Sequence, residues 1–305
     1  MQYRPEGYIF DTEENKRLTA TPEGLTEAME KGKILEARAM MCTNSHDLIV
    51  DLPCAKGIIR RIDGAEGIKE GSTRDIALIS RVNKIVCFKV KQLYLSENNE
   101  LTAELSRKAA QEECAAEYIS SLAAGDIIEA RVTHHEKFGS FVDIGCGLPS
   151  LLPIDTMSVS RIVHPSDRFK TGQLIKVIVN ANVNGRIYLT HKELLGTWSE
   201  NAALFSPGET VPGIVRSVEE YGIFIELTPN LAGLAEPREG IVPGDSVSVY
   251  IKTIIPDKMK IKLIIVDVCD CSPQSPVKYF INSGHIDRWE YSTSLSEKNI
   301  YSDFR

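Results

Sequence analysis

Two pairs of aromatic residues stand out by type and spacing. Phe138 and Phe141 flank Gly139-Ser140, and Tyr221 and Phe224 flank Gly222-Ile223. Flat rings left in water give unpaired bases a surface to stack on, at about 1–3 kcal/mol per base. In a regular strand, residues three apart point to opposite faces. Gly139 between the two rings permits a bend or bulge that brings both to one surface. For an isolated pair the competing role is to fill a core. Recurrence of aromatic-Gly-x-aromatic at the same strand of a repeated unit favours exposure.

The elements that must hold these rings form a repeat. Ile127 to Val132 reads as a strand, followed by a polar turn through His134, His135 and Glu136. Phe138–Ile144, Leu148–Leu152, Leu174–Val179 and Arg186–Thr190 read as four more, with Asn184-Gly185 as the hairpin signal before the last. Gly213–Val218, Tyr221–Leu227, Leu231–Ala235, Gly244–Ile255 and Lys260–Leu263 repeat the pattern. Five short strands with a long connection between the third and fourth predict a five-stranded Greek-key barrel. A worn copy precedes both, with strands at Gly32–Arg38, Asp47–Leu52, Gly57–Arg60, Val86–Lys91 and Leu101–Leu105; the fourth displays Lys89 and Lys91 on its outer face. Ser106–Ala124 and His191–Phe205 read as helical connectors, and Thr21-Pro22 as the cap and first residue of a helix over Glu23–Lys31. The tail from Ser272 has strand-like aromatic pieces at Tyr279-Phe280-Ile281 and Trp289-Glu290-Tyr291, which imply docking on the last barrel.

From Gly125 to Lys192, and again from Gly208 to Val266, the chain resembles the S1 RNA-binding domain family. The family pattern is Gly-x-Val, Phe-Gly-x-Phe-Val-Asp, Gly-Leu-Val-His-x-Ser and Asp-x-x-x-Arg-Ile-x-Leu-Ser. The resemblance implies OB barrels that bind single-stranded RNA through the two aromatics, the His, the Asp and the Arg. Phe138, Phe141 and Arg186 match in the middle repeat, where Leu152-Pro153 replaces Val-His and Asn182 replaces Asp. In the last repeat Tyr221 and Phe224 match and Lys260 replaces Arg, while Glu236 and Pro256 occupy the His and Asp positions. His46 and Ile49 stand at the aromatic positions of the first copy, so its platform is absent. Arg186 can stack on a base or pair with a phosphate, whereas Lys260 keeps only the charge. Glu236 would repel a phosphate, so the last barrel is expected to bind more weakly.

The 305 residues favour more than one domain. With 35 Lys and Arg against 42 Asp and Glu, 43% hydrophobic residues and no long apolar run, the composition is that of a soluble protein. The first residues lack the apolar stretch of a signal peptide, and seven cysteines without a framework suggest reduced thiols in a cytoplasmic setting. The net charge of −7 argues against a general polyanion binder, but it is unevenly spread. Gly125–Lys192 has eight Lys and Arg against six Asp and Glu, a net of +2, whereas Gly208–Val266 has six against eight, a net of −2. Cys269-Asp270-Cys271 lacks a second ligand pair for a metal, and Arg60-Arg61 reads as a solvated loop pair. No phosphate loop, nucleophile elbow or carboxylate cluster marks an enzyme.

The expected fold is all-β with short helices, three tandem five-stranded OB-fold barrels of S1 type joined by helical linkers. The expected divisions are 1–31 for an N-terminal segment, 32–106 for the degenerate barrel, 107–124 for a linker, 125–192 for the middle barrel, 193–207 for a second linker, 208–270 for the last barrel and 271–305 for the tail. The expected function is non-enzymatic binding of single-stranded RNA, messenger or ribosomal, in translation, with the ribosome as a further expected partner and without cofactor, metal or membrane. Its site residues are Phe138, Phe141, Lys137, Lys176, Asn182 and Arg186, extended by Tyr221, Phe224 and Lys260. The rival expectation is a protein-interaction module whose barrels have lost RNA binding.

Overall fold

The computed structural model describes residues 3–269 and 277–305. Two compact units are present: one holds residues up to 122 with 129–131 and 143–149, the other 123–128, 132–142 and 150–305.

In the first unit, helices α1 (Glu13–Ala20) and α2 (Pro22–Glu30) start at Thr12 and Thr21, whose hydroxyls accept from the Asn15 and Gly24 amides. Strands β1 (Leu35–Cys42), β2 (Leu48–Leu52) and β3 (Ala55–Ile59) follow, then α3 (Ile76–Ile79), β4 (Ile85–Leu95) and β5 (Leu101–Ser106). They close in the order β1-β2-β3-β5-β4, with β3 and β5 parallel from Lys56↔Thr102 to Ile59↔Leu105. Alternating residues Leu35, Ala37, Leu48, Val50, Phe88 and Leu105 fill the interior. The outward ammonium groups of β4 are ion-paired, Lys89 with Glu113 and Lys91 with Asp63 at 2.9 Å. Helix α4 (Arg107–Glu117) begins where the Ser106 hydroxyl accepts from the Ala109 amide. It is shorter than the expected 106–124 because it tightens after Tyr118 into a single 3₁₀ turn at Ile119–Ser121.

The middle barrel comprises β6 (Ile127–Glu136), β7 (Gly139–Asp143), β8 (Pro149–Pro153), β9 (Leu174–Val183) and β10 (Arg186–Thr190), ordered β10-β8-β7-β6-β9. The β9–β10 turn has Asn184 and Gly185 at φ 52° and 79°, the left-handed pair that a two-residue hairpin needs. His134, His135 and Glu136 lie inside β6 rather than in a turn; the reversal comes one step later, at Lys137-Phe138. The expected helix from His191 to Phe205 is split. A 3₁₀ turn at Lys192–Leu195 ends at Gly196, φ 82°, and α5 (Trp198–Ala202) restarts behind a Thr197–Glu200 capping box.

The last barrel is β11 (Thr210–Glu219), β12 (Gly222–Thr228), β13 (Leu231–Ala235), β14 (Ser246–Ile255) and β15 (Lys260–Val268), ordered β11-β12-β13-β15-β14. Within the second unit the middle and last barrels share a buried ion cluster. The Glu226 carboxylate receives both Arg168, at 2.8 and 2.9 Å, and Arg216, at 2.8 and 3.0 Å. Burial pushes this carboxyl up, but the two guanidinium groups more than offset that and hold it below the usual range. The tail adds the hairpin β16 (Arg288–Glu290) and β17 (Tyr301–Asp303), and Trp289, Tyr291 and Phe304 join the hydrophobic core of this unit. Tyr279-Phe280-Ile281 forms no strand; its Tyr279 hydroxyl instead accepts from the Lys176 amide and meets His191 Nε2 at 3.3 Å.

Candidate nucleic-acid interface

Both ring pairs face solvent together. Phe138 is 56% exposed and Phe141 half-buried, with ring centroids 6.2 Å apart at 83°. Tyr221 is 69% exposed and Phe224 half-buried, at 6.2 Å and 86°. Strand parity does not separate them because Phe138 and Tyr221 sit in the turn before the strand rather than in it. The glycine serves a different purpose from the expected bend. A Cβ on Gly139 would lie 2.5 Å from the Leu152 carbonyl oxygen, and one on Gly222 would lie 2.7 Å from that of Ala235. Glycine thus lets the third strand of each barrel pack closely beside the ring pair.

In the last barrel a row of side chains crosses four strands: Ser217 opposes Phe224, Phe224 opposes Leu234, and Leu234 opposes Lys262. The matching residues of the middle barrel are His134, Phe141, Leu151 and Tyr188, of which Leu151 and Tyr188 are paired. There the His134 imidazole stacks on Phe141, centroids 4.6 Å apart and planes 11° from parallel. Tyr188 is 51% exposed. The site residues expected from sequence include none of His134, Tyr188 and Lys262, and His134 is read there only as a turn residue beside solvent or phosphate. The signal for all three was alignment of the two repeats, since His134 and Ser217 each stand four residues before the first aromatic.

The polar groups divide. Lys137 and Arg186 are exposed, Lys137 beside Phe138 and Arg186 two residues before Tyr188 on β10. Asn182 Oδ1 accepts from the Gly185 amide at 3.2 Å and so braces the β9–β10 turn. Lys176 Nζ donates to the Asn282 carbonyl of the tail, a partner unforeseen from sequence. In the last barrel Lys260 is exposed, but Glu220 takes the place of Lys137 beside Tyr221, and Glu236 is exposed as well. The first barrel has no ring pair: Ile49 is half-buried and His46 sits in a turn at φ 62°. Arg60 and Arg61 are each matched by a carboxylate, Arg60 by Asp47 at 3.2 Å and Arg61 by Asp75 at 2.7 Å.

Asp143, which ends the Phe-Gly-x-Phe-Val-Asp match, is buried and faces no open surface. It accepts from the amides of Glu6, Gly145 and Gly147 at 2.7, 2.8 and 3.0 Å. Burial, and then the neighbouring Glu6 charge, push its carboxyl up. Its role is to build the loop after β7.

A family model described as S1 RNA binding domain matches residues 121–192, the span of the middle barrel. The chain carries an S1 domain. It is similar to small ribosomal subunit protein bS1 of Leuconostoc lactis, 30% identical over 226 residues, covering 68% of this chain and 52% of that protein. The bS1 homolog of Bacillus subtilis is 31% identical over 161 residues, covering 48% of this chain and 42% of its own length. The bS1 protein of Staphylococcus aureus strain COL is 28% identical over 282 residues, covering 85% of this chain and 69% of its own. The chain therefore spans about half the length of the first two relatives. In the S1 domain the structure exposes Phe138, leaves Phe141 half-buried with His134 of β6 stacked on it, and puts Pro153 at the place of the motif His.

Among the described residues, no group of three or more His, Cys, Asp or Glu is placed to hold a metal ion. Of the Cys269-Asp270-Cys271 motif, Asp270 and Cys271 lie outside the described residues. No described helix is long and apolar enough to cross a membrane.

Proposed function

We propose that this protein binds single-stranded RNA on the outer faces of its middle and last barrels and works in translation, in the cytoplasm and in contact with the ribosome, without catalysing a reaction. The observation that carries this reading is an edge-to-face ring pair with its first ring exposed and its second half-buried, Phe138 with Phe141 and Tyr221 with Phe224, at the same place in two barrels. An S1 RNA binding domain match over the middle barrel and similarity to bS1 proteins support it. Bases stack on the rings; Lys137 and Arg186 in the middle barrel, and Lys260 and Lys262 in the last, hold phosphates. Asn182 shapes the turn beside Arg186, and Lys176 contributes through the tail it anchors. The protein-interaction alternative gains no support from the family match.

The test is a titration of a fluorescent oligoribonucleotide at two salt concentrations. Wild type is expected to bind, with affinity falling as salt rises. Phe138→Ala/Phe141→Ala should weaken binding by about 1–3 kcal/mol for each stacked base lost. Tyr221→Ala/Phe224→Ala should have the smaller effect, because Glu220 and Glu236 repel the same backbone. Absence of binding at low salt, or binding unchanged in the Phe double variant, would overturn the reading.

A further inference from the structure

The stack of His134 on Phe141 changes what the middle barrel offers a ligand. At 4.6 Å and 11°, the imidazole covers one face of the Phe141 ring, so that face is closed to a base. His134 is itself exposed, which leaves its opposite face and an edge in water. Thr133 has one hydroxyl proton and donates it to the Phe141 carbonyl at 3.0 Å. Toward His134 Nδ1, 3.3 Å away, the same oxygen must therefore accept. In a neutral His134 bonded this way, Nδ1 holds the proton and Nε2 is the acceptor. The last barrel has Ser217 at this position and, among the described residues, no third ring stacked on Tyr221 or Phe224.

We propose that His134 is a nucleotide-contacting residue of the middle barrel: its outer face takes a base, with Phe141 as the pillar behind it, and Nε2 accepts a hydrogen bond from a donor on the same nucleotide. This rests on the RNA reading above. The donor belongs either to the base, as an amino group, or to the ribose, as its 2′-hydroxyl, and both present the same chemistry to Nε2. The two barrels are then unequal in kind as well as in charge, because His134 adds a stacking ring where the last barrel has Ser217.

The experiment uses the full chain in a Tyr221→Ala background, so that the middle barrel dominates, with a short oligoadenylate and its deoxyribo counterpart as probes. His134→Ala is expected to weaken binding by about 5- to 150-fold, the range of one lost stacked base, without changing the salt slope, because no phosphate contact is removed. His134→Phe should recover part of the loss by restoring a ring without the acceptor. If the part it fails to recover is confined to the ribo-oligomer, the donor is the 2′-hydroxyl; if it is equal in both probes, the donor is on the base. Thermal unfolding of each variant confirms that the exposed position leaves the barrel intact. Should His134 only shield Phe141 from water, its removal would leave affinity unchanged or raise it, and that result overturns the inference. Loss of binding in Phe138→Ala/Phe141→Ala alongside an unaffected His134→Ala would sink this inference alone. Absence of binding by the parent chain would sink the RNA reading and this inference with it.

Discussion

Gly139 shows how far a single residue can be read. Its place between two aromatics marked the pair as a platform, and both rings are on one exposed side. The reason lay outside the pattern, in the 2.5 Å that would separate a Cβ there from the Leu152 carbonyl oxygen. Gly139→Ala should therefore destabilise the protein by about 1–3 kcal/mol through overpacking against backbone that cannot yield. Gly172→Ala is the control: nothing lies within 4 Å of its Cβ, and only the backbone at φ 84° resists, about 1 kcal/mol. Urea midpoints of the two variants decide the matter, and equal shifts would show that β8 can move away. His134 was hidden for a related reason. Periodicity assigns it to a strand or a turn, but only the cross-strand partner says whether it meets a ring.

At the scale of elements, the five-strand repeat was legible because alternation and Gly punctuation report strands directly, and the Asn-Gly hairpin between β9 and β10 was placed correctly. The connectors were less so. The stretch His191–Phe205 reads as one helix, yet Gly196 at φ 82°, with a Phe280 ring atom 2.7 Å from where its Cβ would be, divides it. Such a break depends on the tail that packs there, which no local window contains. The ion cluster between β12 and the long β8–β9 connection was likewise invisible, since Arg168 and Glu226 are 58 residues apart. Glu226 is flanked by two nearly buried guanidinium groups, so Glu226→Gln should cost about 3–5 kcal/mol by leaving their charge uncompensated. A double variant with Arg168→Met should recover part of that loss. A Glu226→Gln unfolding midpoint within experimental error of wild type would mean that water already serves these arginines.

Across the molecule, buried titratable groups give the two compact units opposite responses to pH. In the first unit Glu36 accepts from the Gly7 and Ile9 amides at 2.9 and 3.1 Å, yet burial pushes its carboxyl up to about 7. Asp143 of the same unit is also raised. A carboxyl with a folded pKa above its unfolded one binds more protons when folded, so its contribution falls as pH rises between the two values. For Glu36 that window runs from the ordinary 4.5 to about 7 and is worth up to about 3 kcal/mol. In the second unit His191 is enclosed between the Met157 carbonyl, 2.7 Å from Nδ1, and the Tyr279 hydroxyl, and burial depresses it to about 4. Folded His191 binds fewer protons than unfolded His191 between 4 and 6.5, so its contribution is lost as pH falls through that range. The His285–Asp126 pair of this unit acts in the other direction but is exposed to solvent, which mutes it. Lowering the pH from 7 to 5 should therefore slow amide exchange in β1–β5 and speed it in β9–β15. Glu36→Gln should flatten the first response and leave the second, and His191→Gln should do the reverse. Hydrogen exchange followed peptide by peptide at the two pH values, corrected for the intrinsic rate, reads both at once; exchange moving in the same direction in both units would refute the assignment of these buried groups.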